Sequence, residues 1–378
     1  MKPNFKILDG LRGIAATYVL INHSRGNLLI GGNEYATITP IAQWSIFEKI
    51  YFSALQLTSL GREFVILFFI LSGFSIAYSL QNKTSIINFY SRRLIRLYPP
   101  YILALIWAAI VFFIAIRISP GITDGKESVF TSISSTTKNL FYLPNGAFIG
   151  QFWSLTYEVI FYLVVPIFVL NKRLYYLISI LIYVVSFYSS WNSTTGNNII
   201  SMFILDYNIY FAIGIYFFHN YKKINSLLSF KNNYLLCSTL GILFVSMVIL
   251  KFKTTEENKI SILVSVFFSI ILITNFLQKE IHNKVLTFLG NMSYTLYITH
   301  VATIFFFKAI IFKMGIINSL AINAWYLWII CVFVTILISS LFYKLAENPS
   351  KILLKNIRNK KDSVAVELYP EVKPNFIA

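Results

Sequence analysis

Gly61-Arg-Glu-Phe-Val-Ile-Leu-Phe-Phe-Ile-Leu-Ser-Gly-Phe-Ser-Ile-Ala-Tyr-Ser-Leu-Gln81 is the stretch that decides the fold. Beyond Glu63 it carries no charge, and at 1.5 Å of rise per residue its apolar part is long enough to cross a bilayer core of about 30 Å. Similar blocks recur at residues 8–25, 98–118, 151–170, 174–191, 199–218, 233–251, 260–277, 292–312 and 323–345. The fold predicted is therefore all-α, a polytopic transmembrane helix bundle of about ten spans occupying residues 1–350. Residues 351–378 are predicted to be a cytoplasmic tail, basic and apolar at first and then polar and disordered.

Composition agrees. Of 378 residues 57% are hydrophobic and only 12% charged, against about 25% charged in soluble domains. The net charge of +17 does not point to nucleic acid, because Lys and Arg sit in short connectors between apolar blocks and form no water-exposed basic face. They are instead an orientation signal. With the N-terminus inside, the inner connectors and tail hold roughly twice the Lys and Arg of the outer ones, so both termini are expected to be cytoplasmic. Cys237 and Cys331 fall in apolar runs and read as small buried side chains, with no disulfide framework and no zinc spacing. No metal is expected. The N-terminus has the outline of a signal peptide, but Asp9 and Arg12 interrupt it and no cleavage site follows, so it is expected to stay as the first span.

Two long outer connectors are expected, 26–60 and 119–150. The first contains Trp44-Ser-Ile-Phe-Glu-Lys-Ile-Tyr-Phe52, which suits either a helix in the headgroup region or an irregular covering loop.

Polar residues inside spans are expensive, so they carry the functional information. In Leu8-Asp9-Gly10-Leu11-Arg12-Gly13 followed by His23, Arg12 and His23 are separated by about 20° around a helix and by about 16 Å along it. They share a face, which suits a long donor that is anionic at one end and reactive at the other; a snorkelling Arg with an unrelated His is the plainer reading. Ser72-Gly73 allows backbones to approach closely. Tyr90-Ser-Arg92-Arg93-Leu-Ile-Arg96-Leu-Tyr-Pro99-Pro100 projects Arg93 and Arg96 together as a fork for phosphate oxygens or as inner-face anchors, with the prolines ending one helix and starting the next.

Trp153-Ser154-Leu-Thr-Tyr157-Glu158 opens another span, with Glu158 at a depth that can match His23. The carboxylate then orients the imidazole, or pairs structurally with an Arg or Tyr. Ser293, Tyr297 and His300 form a polar stripe that lines a channel or bonds neighbouring helices. Glu347-Asn348-Pro349 reads as the stop of the last helix.

Together these motifs, in order from residue 8 to residue 349, resemble acyltransferase family 3, the membrane acyltransferases of bacterial surface sugars. The resemblance implies an acyl-CoA donor, most simply acetyl-CoA, and a location in the cytoplasmic membrane. It implies His23 as the catalytic residue and Arg12, Arg93 and Arg96 as donor-binding or otherwise essential positions. A mechanism consistent with it has the donor phosphates held by Arg93, Arg96, Arg92 and Arg12. His23, oriented by Glu158, acts as general base on a glycan or lipid-linked saccharide hydroxyl, with an acyl-His intermediate as the competing route. Asp9, Ser72, Trp153, Ser154, Tyr157, Ser293, Tyr297 and His300 are the candidates for the substrate channel. Members with an esterase-like C-terminal domain exist, and this sequence carries none. A transporter or flippase is the alternative class, and the internal repeats and paired broken helices common in such folds are not evident. The acceptor, acyl chain and oligomeric state are not readable from the sequence.

Overall fold

The structure, a computed structural model, describes residues 5–81, 85–119, 133–142, 152–188, 203–253, 259–277, 279, 283–316 and 322–357. Those residues form helices and turns, with no strand among them. In chain order the helices are α1 (Phe5–Leu28), α2 (Gly32–Ile38), α3 (Ile46–Gln56), α4 (Gly61–Leu80), α5 (Ile86–Ile118), α6 (Ile133–Leu140), α7 (Trp153–Leu170) and α8 (Lys172–Tyr188). They continue with α9 (Asn208–His219), α10 (Tyr221–Leu228), α11 (Asn233–Lys253), α12 (Lys259–Phe276), α13 (Lys284–Asn291), α14 (Ser293–Lys313) and α15 (Trp325–Phe342). Parts of the expected spans at 151–170, 174–191 and 199–218, and of the tail from residue 358, lie outside the described residues.

Among the described residues five helical stretches are long and apolar enough to cross a membrane: Ile46–Leu80, Ile86–Ile118, Asn233–Lys251, Ser293–Lys313 and Trp325–Ile357. Trp153–Val165 and Ile260–Phe276 are apolar but shorter. The outer surface is greasy too, with Phe333, Leu337, Leu341 and Leu345 exposed along the last helix and Tyr234, Leu235 and Ile242 along α11. An exposed apolar surface on that scale is unsuited to water and suited to lipid, so this is a multi-pass membrane bundle.

α4 stands at its centre, buried along most of its length from Gly61 to Ala77. It crosses α9 with backbones nearly touching: a Cβ on Gly73 would lie 2.2 Å from the Phe211 carbonyl oxygen, and one on Gly214 would lie 2.1 Å from that of Ile70. Only glycine permits this approach, the packing role expected of Ser72-Gly73. α1 lies alongside and touches α4, α13, α14 and α15, while α14 packs along α5. Trp44–Phe52 resolves as helical from Ile46, and α3 is started by a capping box between Ser45 and Glu48 and exposes Ile46, Phe47 and Ile50.

Three expectations are corrected. Pro99 and Pro100 do not separate two helices but lie inside α5, which runs unbroken from Ile86 to Ile118. α5 packs along α14, and the Tyr294 hydroxyl donates to the Leu97 carbonyl at 3.1 Å beside the prolines.

Glu347-Asn348-Pro349 is no helix stop either. The helix continues through a π-turn at Tyr343–Glu347 to residue 357. Glu347 is buried there, accepting from the Thr295 amide at 3.0 Å and from the Thr295 hydroxyl, with Lys351 Nζ at 2.9 Å. It thus satisfies an amide in the first turn of α14 that has no partner within the helix.

Cys237 is exposed, while Cys331 is buried as expected. In a membrane bundle an apolar run does not imply burial in protein, and Cys237 sits on the outward side of α11.

Candidate active site

A glycine crossing positions the helix that carries Arg12. A Cβ on Gly13 would fall 2.5 Å from the Gly290 nitrogen, and one on Gly290 would fall 2.7 Å from the Asp9 carbonyl oxygen, so α1 and α13 meet backbone to backbone. That contact fixes α1 where Arg12 reaches α4. Its Nη1 donates to Asp9 at 2.7 Å, and its Nη2 donates to the Ser75 hydroxyl at 2.5 Å and to the Leu71 carbonyl at 3.1 Å.

Arg12 lines a cavity of about 750 Å³, open solvent included, walled by α1, α4, α5, α7 and α14. Arg93 and Arg96 enter it from α5, Ser154 and Glu158 from α7, Ser72 from α4, and Ser293 and Tyr297 from α14. The Arg93 guanidinium lies over the Tyr162 ring at 5.2 Å and over the Phe89 ring at 5.5 Å. Among the described residues neither Arg93 nor Arg96 makes an ion pair or a side-chain hydrogen bond. The Glu158 carboxylate is engaged by the hydroxyls of Ser72, at 2.9 Å, and Tyr162. Arginine with its donors unspent, inside a cavity of several polar walls, is a place prepared for an anion.

One helical turn beyond Tyr297 on α14 is His300, fully buried. Its Nε2 lies 2.8 Å from Nδ1 of His23, with the two ring planes within 20° of each other. Its Nδ1 lies 2.7 Å from the Tyr297 carbonyl oxygen. The Tyr297 ring is 5.6 Å from the His300 ring and meets Phe68 edge-on at 5.6 Å, while its hydroxyl is held by Ser154 at 2.6 Å. Neither histidine lines the cavity, whereas Phe68 and Tyr297 do.

A family described as an acyltransferase domain matches residues 5–344, nearly the whole chain. The chain belongs to that acyltransferase family. It is 32% identical over 169 residues to the acyltransferase MdmB of Streptomyces mycarofaciens, an alignment that takes in 42% of this chain and 38% of that relative. The chain thus aligns with well under two thirds of the relative's length. No solved structure matches. Membership favours acyl transfer over the transporter alternative.

Seven residues singled out in the sequence meet at one cavity of the acyltransferase together with Arg12: Ser72, Arg93, Arg96, Ser154, Glu158, Ser293 and Tyr297. Others fall elsewhere. Arg92 is exposed and donates to the Asn88 carbonyl of its own helix at 3.1 Å. Asp9 is the partner of Arg12 and not a wall residue. Trp153 packs among Phe69, Tyr157 and Tyr207, and Tyr157 is buried against Tyr207 with ring centroids 4.7 Å apart, so both belong to the aromatic core.

The expected pairing of His23 with Glu158 is not present, since His300 occupies the imidazole and Ser72 and Tyr162 occupy the carboxylate. Depth along two helices can be matched from sequence, but their separation across the bundle cannot. Phe68, Ser75, Tyr162 and Tyr294 also line the cavity and were not anticipated. Two had a signal in the sequence, because Ser75 follows Ser72 by three residues and Tyr162 follows Glu158 by four, each on the same helical face.

Proposed function

We propose that this acyltransferase moves an acyl group, acetyl in the simplest case, from acyl-CoA on the cytoplasmic side to a hydroxyl of an extracytoplasmic or lipid-linked glycan. In this reading about ten spans cross the cytoplasmic membrane with both termini inside, residues 1–350 form the transferase domain, and 351–378 follow as a tail. The distribution of Lys and Arg between connectors supports that orientation.

The observation that carries the proposal is the pair of guanidiniums, Arg93 and Arg96, that make no ion pair or side-chain hydrogen bond among the described residues, in a cavity whose wall residue Tyr297 lies beside His300. They bind the phosphates of the donor, with Arg12 adding charge although its donors are already committed to Asp9, Ser75 and Leu71. Glu158 lines this same cavity and so acts on the donor rather than on His23. The thioester reaches His23 when the rings of Phe68 and Tyr297 part. The acceptor oxygen then forms the ester bond as the thioester C–S bond breaks. Its proton passes to His23 and on to the departing thiolate, leaving an acyl ester and the free CoA thiol.

Titration of acetyl-CoA into detergent-purified protein tests the donor site. R93A and R96A are each expected to weaken binding about tenfold or more, and the parent's affinity should fall as salt rises. Unchanged affinity in both variants refutes the phosphate role. For the acceptor, envelope glycans from cells lacking the gene should lose the mass of one acetyl group per modified sugar, and identical glycan masses would refute a glycan acceptor.

A further inference from the structure

We propose that His300 is a positioning residue that fixes the tautomer and plane of His23, leaving His23 Nε2 as the lone pair that takes the acceptor's proton. The proposal rests on the acyl-transfer reading above, and it follows from the order of atoms along the pair. A carbonyl oxygen only accepts, so the contact of 2.7 Å between His300 Nδ1 and Tyr297 O puts a proton on that Nδ1. A neutral imidazole carries one ring proton, so His300 Nε2 presents a lone pair. That lone pair faces His23 Nδ1 at 2.8 Å, and two lone pairs would repel at this distance, so the proton between them belongs to His23 Nδ1. His23 Nε2 is then unprotonated, and it makes no hydrogen bond with any described residue.

The opposite assignment, a charged His300 donating to His23, would place an imidazolium where it is wholly buried and where no carboxylate among the described residues bonds either ring. An isolated buried charge of that kind is strongly disfavoured.

The support around His300 is rigid. Its neighbour Thr299 pairs with Ser339 at 2.8 Å and donates to the Thr295 carbonyl, and Thr303 accepts from Trp107 at 3.2 Å. On the other side the Asn27 amide donates to the His23 carbonyl at 2.8 Å. When His23 Nε2 receives the hydroxyl proton, the charge on the ring is met through Nδ1–H by the His300 lone pair, and the geometry need not change. Without His300 the imidazole of His23 is free to carry its proton on Nε2 or to turn, and in either state it offers no base towards the acceptor.

Two measurements test this. Nitrogen NMR of the histidine-labelled parent protein in lipid should show His23 protonated at Nδ1 and bare at Nε2. A proton on His23 Nε2 overturns the proposal, and the readout needs no activity, so it is independent of whether the acyl-transfer reading is right.

The second compares H300Q with H300L, in membranes carrying native glycans and supplied with radiolabelled acetyl-CoA. A glutamine oxygen can accept from His23 Nδ1–H where leucine cannot. H300Q should retain incorporation well above H300L, which should lose about 10²-fold or more in kcat with little change in KM for acetyl-CoA. Equal loss in both variants with donor binding intact, or near-parental turnover in H300L, contradicts the assignment.

Discussion

Gly13 and Gly290 cross with so little room that a single methyl on Gly13 would sit 2.5 Å from the Gly290 nitrogen. The atoms it would meet are backbone, which cannot swing aside as a flexible side chain can. G13A is therefore expected to push α1 away from α13, destabilising the protein by about 1–3 kcal/mol and displacing Arg12 from Ser75. Thermal unfolding in detergent and acetyl-CoA titration should both register the change. G26A is the control, since nothing lies within 4 Å of a Cβ there.

Glu347 ties the far end of the chain to the first turn of α14, the helix that carries Ser293, Tyr297 and His300. E347A leaves a buried Thr295 amide and hydroxyl without their acceptor, at a cost of about 1–3 kcal/mol. Because the contact is structural, E347A should lower the unfolding temperature in detergent. Material that remains folded should still turn over. Full stability with abolished turnover would instead give Glu347 a direct part in the chemistry.

Tyr297 lines the cavity and lies 5.6 Å from the His300 ring, with Phe68 packed on it edge-on, and in the proposed reading these two rings bar the way to the histidine pair. F68W enlarges the barrier without touching the arginines, and its predicted effect is a fall in transfer on the order of tenfold to a hundredfold with acetyl-CoA affinity unchanged. A parallel loss of affinity would place the donor's reactive end on the near side of Phe68.

Much of the site was legible because polar atoms in apolar spans are rarely idle. Arg12, Ser72, Ser154, Glu158, Ser293 and Tyr297 were picked out on that ground, and Arg93 and Arg96 as a fork in an inner connector, and one cavity gathers them. The shared face expected of Arg12 and His23 leads to different neighbours: Arg12 bonds Ser75 on α4 and lines the cavity, whereas His23 meets His300 on α14 and does not line it. What a single sequence did not supply was lateral position. Glu158 and His23 were matched in depth, yet α7 carries its carboxylate to Ser72 and Tyr162. His300 was read as a channel residue because nothing in its spacing reveals which helix it meets. Pro99-Pro100 and Glu347 were misread for a related reason, since packing against α14 overrides a local helix-breaking signal.

The central claim is that donor recognition and proton transfer occupy different stations along α1, Arg12 at one and His23 at the other. Acetyl-CoA affinity of purified H23A, measured beside its acetyl transfer in membranes, tests this most directly. The expected result is donor binding within about twofold of the parent with transfer reduced by about 10²–10⁴-fold. Normal transfer by folded H23A, or loss of donor binding equal to that of R93A and R96A, would contradict it.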